Sequence, residues 1–143
     1  TIAREVATNL GVSLEIGATV VSAFSPRERW ARNVSNAITF SLGEEVRGVL
    51  GNNIRMAKAA LELGYDALKG QKTNAFARAI AGDENAVVID VWMLRAVGIE
   101  KKSPSQSLYR ELAKAVTTVA ISYGMTPRAM QALIWIVVRG SAE

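Results

Sequence analysis

The sequence predicts an all-α fold of about eight helices. Three observations carry that expectation. All three prolines follow a hydroxyl residue, in Ser25-Pro26, Ser103-Pro104 and Thr126-Pro127. A Ser or Thr N-cap with Pro in the first turn is a helix-start signal, because the hydroxyl accepts a free amide and Pro has none to offer. Apolar residues then recur at helical spacing after each pair. The one strand-like run, Ala86-Val87-Val88-Ile89, has no second run to pair with.

In chain order, helices are expected over residues 2–10 and 14–24, and then from Pro26. There Glu28 completes a capping box with Ser25, and Trp30, Val34, Ala37 and Ile38 form an apolar stripe that stops at Gly43. Further helices are expected over residues 53–63, 72–80 and 90–97. From Pro104, Gln106 completes a second capping box, and Leu108, Leu112, Ala115, Val116 and Val119 line one face as far as Gly124. The run from Pro127 to Arg139 is apolar on nearly every side, which predicts a central, buried helix. With no internal repeat, low-complexity tract or linker, a single domain over residues 1–143 is expected.

Composition narrows the chemistry. Half of the residues are hydrophobic and 21% are charged, which favours a folded domain over disorder. The absence of Cys excludes disulfides, thiol catalysis and Cys-ligated zinc or iron-sulfur clusters, and the absence of His removes the commonest general base and metal ligand. No metal site or cofactor is expected, so carboxylates and amines remain to carry any reaction. The net charge of +4 suits a polyanionic partner. Apolar runs too short to span a bilayer, and the lack of a basic-then-apolar leader, predict a cytoplasmic monomer without a membrane partner.

The most informative stretch is residues 68–95. Leu-Lys-Gly-Gln-Lys-Thr opens one helix, and the apolar run ending in Asp90 opens another. Lys72 and Asp90 stand 18 residues apart. This pattern resembles the core signature of the helix-hairpin-helix DNA glycosylases, the endonuclease III and 8-oxoguanine glycosylase type. The resemblance covers about a fifth of the chain, with weaker similarity on both sides.

The resemblance implies an all-α fold with a helix-hairpin-helix element, DNA as partner, and base excision as the activity. Lys69, Gly70, Gln71 and Thr73 would contact a DNA phosphate, and Arg95 is placed as a further DNA ligand. Lys72 matches the lysine that attacks the sugar C1′ and forms a Schiff base in lyase-competent members. Its place in the first turn, where the macrodipole disfavours a cation, suits a nucleophilic amine. A solvated surface lysine, or one touching a phosphate, is the alternative. Asp90 matches the catalytic aspartate, whose carboxylate would balance positive charge building on the sugar and accept a proton from the attacking group. Asp also caps helices well anywhere, and the two roles do not exclude each other.

The departures from the family pattern are specific. The family hairpin reads Leu-Pro-Gly-hydrophobic-Gly-x-Lys-Thr, whereas here only Gly70 remains and the leucine stands closer to the lysine. Trp92 occupies the place where the family commonly has His. Phe24 falls near the position from which the family wedges a side chain into the duplex, though core burial is the preferred expectation for it. Arg27, Arg29, Arg32, Arg55, Lys58, Lys69 and Arg78 are placed to border a phosphate track.

The expected function is therefore DNA N-glycosylase, with or without AP lyase chemistry, on a damaged or modified base. Two alternatives stand beside it: a DNA-binding module that no longer cleaves, and a helical protein-interaction domain. The pattern is also similar to that of small bacteriophage proteins, which implies service in modification of unusual bases.

Overall fold

The computed structural model describes residues 1–140, and these form eight α-helices with no strand among them. The helices are α1 (Ile2–Leu10), α2 (Leu14–Ala23), α3 (Trp30–Ser41), α4 (Gly51–Leu63), α5 (Gln71–Ile80), α6 (Val91–Ala96), α7 (Gln106–Ser122) and α8 (Pro127–Arg139), with a single 3-10 turn at Gly64–Ala67. The described residues form two compact units, one over Thr1–Gly82 and one that begins at Asp83. No Pro- or Ser-rich linker marks the division; it falls in a tight turn at Gly82-Asp83.

In the first unit α2 is the central element. Gly17 through Ala23 are all buried, and α2 packs against α1, α4 and α5. The core gathers Val6, Val20, Val21, Phe24, Ala37, Ala57, Ala60, Leu68 and Ala77. So many alanines in this core mean that the helices approach closely. Gly17 marks the tightest point, because a Cβ there would run into the Ala3 carbonyl oxygen and come within 2.8 Å of the Ala7 Cβ.

One expected helix start and one expected cap are corrected. The residues after Ser25 form a turn, and α3 begins at Trp30 instead of Pro26. Ser25 Oγ donates backward to the Ser22 carbonyl (2.7 Å), so it caps no following amide. Arg27 takes a left-handed conformation (φ 59°), which breaks any helix there. Glu28 pairs with Arg32 (3.5 Å) instead of closing a capping box. Asn53 Nδ2 donates to the Pro26 carbonyl (3.1 Å) and ties this turn to α4. In the second unit, α7 is capped by Ser105, whose Oγ accepts from the Leu108 amide (3.2 Å), rather than by Ser103. The third start holds: Thr126 caps α8, with Pro127 in its first turn.

The segment 86–89, strand-like in sequence, has its backbone groups satisfied by a side chain. The Tyr109 hydroxyl donates to the Val87 carbonyl (2.8 Å) and accepts from the Ile89 amide (3.2 Å). Tyr109→Phe leaves both buried groups unmatched and is expected to cost about 2 kcal/mol, read by urea unfolding. Burial pushes the Tyr109 hydroxyl above its ordinary value of 10.0; the Ile89 amide pulls it down and the Asp90 charge adds to the rise. The folded chain thus holds the proton more tightly than the unfolded one. That contribution is fully present below the unfolded value and is lost as pH rises through the folded one. Stability should fall in the alkaline range, and this component should vanish in Tyr109→Phe.

The expectation of a buried α8 is also corrected. Only Pro127 and Met130 of this helix are buried, while Leu133, Ile136, Val137 and Val138 are exposed. No single helix among the described residues is long and apolar enough to cross a membrane.

Candidate functional site

The hairpin is built from the 3-10 turn, Leu68, Lys69, Gly70 and the first turn of α5. Leu68 is buried and anchors the corner from below. Asn74, one turn into α5, donates through Nδ2 to the carbonyls of Tyr65 (3.0 Å) and Leu68 (3.3 Å), so the helix holds the turn that precedes it. Its Oδ1 accepts from Arg78 Nε (2.8 Å), and the Arg78 guanidinium lies over the Tyr65 ring at 4.3 Å. On the other side Ser22 Oγ donates to the Thr73 carbonyl (2.6 Å), which fixes the start of α5 to α2.

Gly70 is the N-cap of α5, with no side-chain cap. Its backbone is extended (φ −72°, ψ 134°), so glycine is not needed there for conformation. What glycine leaves is space: a Cβ would meet Thr73 Oγ1 at 3.2 Å. Thr73 Oγ1 itself donates to the Gly70 carbonyl (3.1 Å). Lys69 and Lys72 are exposed on either side of the helix start. Residues 68–82 carry Lys69, Lys72 and Arg78 and no acid, while Asp66 stands in the preceding 3-10 turn. Lys69, Gly70, Gln71, Lys72 and Thr73 are thus brought together at one helix entrance, as the sequence implies.

Asp90 is half-buried and caps α6. Its Oδ1 accepts from the amides of Trp92 (3.0 Å) and Met93 (3.1 Å). Its Oδ2 accepts from the indole Nε1 of Trp135 on α8 (2.9 Å). Both oxygens are therefore engaged by donors, and the carboxylate joins two helices as well as capping one. Lys72 belongs to the first unit and Asp90 to the second.

Around Asp90, cations and indoles interleave. The Arg95 guanidinium lies 4.6 Å from the Trp92 ring, and that of Arg139 lies 4.6 Å from Trp135 and 5.8 Å from Trp92. Trp92 and Trp135 are half-buried, while both arginines are exposed. Sequence reasoning placed Trp92 and Arg95 but missed Trp135 and Arg139. Their Trp-x-x-x-Arg spacing, one helical turn on α8, is the signal that was available.

Phe24 takes the expected core position and is not free to act as a wedge. Its side chain is fully buried and packs on Phe40 at a ring separation of 5.6 Å, whereas a wedge must stand free of the protein. Among the described residues no cluster of acidic side chains could hold a metal ion.

No curated protein matches the chain, and neither does any solved structure. A family model, described as "Family of unknown function (DUF7178)", matches residues 1–142, and the chain belongs to that family.

Proposed function

We propose that this protein binds DNA, gripping a backbone phosphate at the entrance of α5. The observation that carries the reading is the uncapped start of α5 at Gly70, with exposed Lys69 and Lys72 beside it. A helix N-terminus favours negative charge, and two adjacent ammonium groups strengthen that preference. The tethers from Ser22 and Asn74 pre-organise the corner, so little ordering cost is left for binding.

The narrower reading is base excision, with Lys72 as the amine that attacks C1′ and Asp90 as the carboxylate that balances charge on the sugar. The exposed amine of Lys72 in the first turn of α5 favours it. The three donors already held by Asp90 favour the non-cleaving form, because they give that carboxylate a structural role of its own.

Fluorescence anisotropy with a labelled duplex tests the broad reading. Binding should weaken steeply with salt, and K69E/K72E should weaken it across sequences while lowering the salt slope by about two or more. Absence of binding at low salt overturns the reading. Borohydride trapping on duplexes with damaged or modified bases tests the narrow one: a trapped adduct is expected from the native chain and none from Lys72→Gln.

A further inference from the structure

We infer that Arg95 and Arg139 form a second phosphate-binding site, on the surface where α6 meets α8. The two guanidinium groups lean on a common indole, that of Trp92, and Arg139 also covers Trp135. Neither arginine has a carboxylate partner among the described residues. Among the described residues their N–H donors are oriented by stacking rather than taken up by ion pairs. A planar guanidinium fixed by an aromatic face keeps its fork of donors for a bidentate oxyanion, and loses little rotamer freedom on binding it.

Asp90 is tied to this surface, and its oxygens accept from the α6 amides and the Trp135 indole. It therefore orients Trp135 without taking up the donors of Arg139. The Asp90 carboxylate lowers the field at this surface, and two guanidinium groups still leave it net positive. The ligand class is a phosphate group, which a nucleic-acid backbone supplies. That choice of ligand rests on the DNA-binding reading; the site itself rests on the arginine and tryptophan geometry.

The test uses the tryptophans as reporters. The chain has three tryptophans, so in W30F the emission comes from Trp92 and Trp135 alone. Titration with an oligothymidylate, and separately with tripolyphosphate, should change that emission, with an affinity that falls with salt. R95Q/R139Q in the same background should weaken both titrations by about tenfold or more, as expected when two phosphate contacts are lost. An unaltered emission with both probes, or equal affinity in R95Q/R139Q, overturns the inference. Should that variant fail to fold, R95K/R139K keeps the charge but loses the stacked fork; weaker binding supports the site and equal binding overturns it. A response to tripolyphosphate combined with no binding of any DNA leaves this site standing and removes the DNA-binding reading. Duplex binding that depends on Lys69 and Lys72 but leaves the indoles silent does the reverse.

Discussion

Asp90→Ala is expected to cost the second unit about 2–4 kcal/mol, because one truncation removes a helix cap and an interhelical bond together. The Oδ1 bonds to the Trp92 and Met93 amides are the only side-chain cap of the six-residue α6. A helix that short has little propensity of its own and relies on its ends and packing. The Oδ2 bond to Trp135 is charge-assisted and half-buried, so its loss leaves an indole N–H without an acceptor.

Asp90→Asn separates these contributions. The amide oxygen still caps α6, but the other position now carries NH2, which faces the Trp135 N–H donor to donor. The amide variant should therefore cost less than the alanine one but more than a cap-preserving change usually does, on the order of 1–2 kcal/mol. Trp135→Phe removes the clashing donor, so the penalty of Asp90→Asn should shrink in that background. A double-mutant cycle read by urea unfolding measures the coupling. Additive effects would show that Asp90 and Trp135 do not share a bond. The same cycle matters for activity. Under the proposed base-excision reading, a loss of activity in Asp90→Asn would be assigned to the missing charge only if it persisted once Trp135→Phe had reduced the cost to stability.

The elements that sequence reading located correctly are those whose limits are written in adjacent residues. α1 and α8 begin and end as expected, because Thr126-Pro127 and the apolar periodicity act over one or two turns. The start at Ser25-Pro26 failed for a tertiary reason: Asn53 reaches the Pro26 carbonyl and Ser25 turns back to α2, so the same residues serve a turn. At Ser103-Pro104 two serines compete as caps, and the spacing that favours Ser103 does not reveal that Ser105 takes the Leu108 amide. The apolar run on α8 implied burial, yet periodicity reports the hydrophobicity of a face and not what covers it.

The site divides in the same way. The entrance of α5 was legible because Lys69 through Thr73 are contiguous. The partner of Asp90 was not, since Trp135 lies 45 residues away and only the fold of the second unit brings its indole to the carboxylate. Asn74 was overlooked because an amide inside a helix carries no distinctive pattern, although it is the side chain that closes the hairpin.

Gly17→Ala should destabilise the first unit by about 2–3 kcal/mol or more, against the sign that helix propensity alone predicts. Gly17 lies inside α2, where replacing glycine with alanine ordinarily gains up to about 1 kcal/mol. Here the new methyl meets the Ala3 carbonyl oxygen, the Ala7 amide nitrogen at 3.0 Å and the Ala7 Cβ at 2.8 Å. Two of these are backbone atoms of α1, which no rotamer change can move aside. Relief requires α1 to lift from α2, exposing Val6 and the alanines that the crossing buries. Gly17→Leu should be worse still and should abolish cooperative unfolding of that unit.

Gly51→Ala provides the control. Gly51 opens α4, and a Cβ there meets nothing within 4 Å, so the substitution should be neutral or stabilise by a few tenths to about 1 kcal/mol. Urea midpoints of the two variants should therefore move in opposite directions, or one should fall while the other stays. A midpoint for Gly17→Ala equal to that of the native chain would mean that α1 and α2 do not cross at backbone contact. The seat that Ser22 on α2 provides for the start of α5 would then lose its rigid base, and with it the pre-organisation on which the proposed phosphate contact rests.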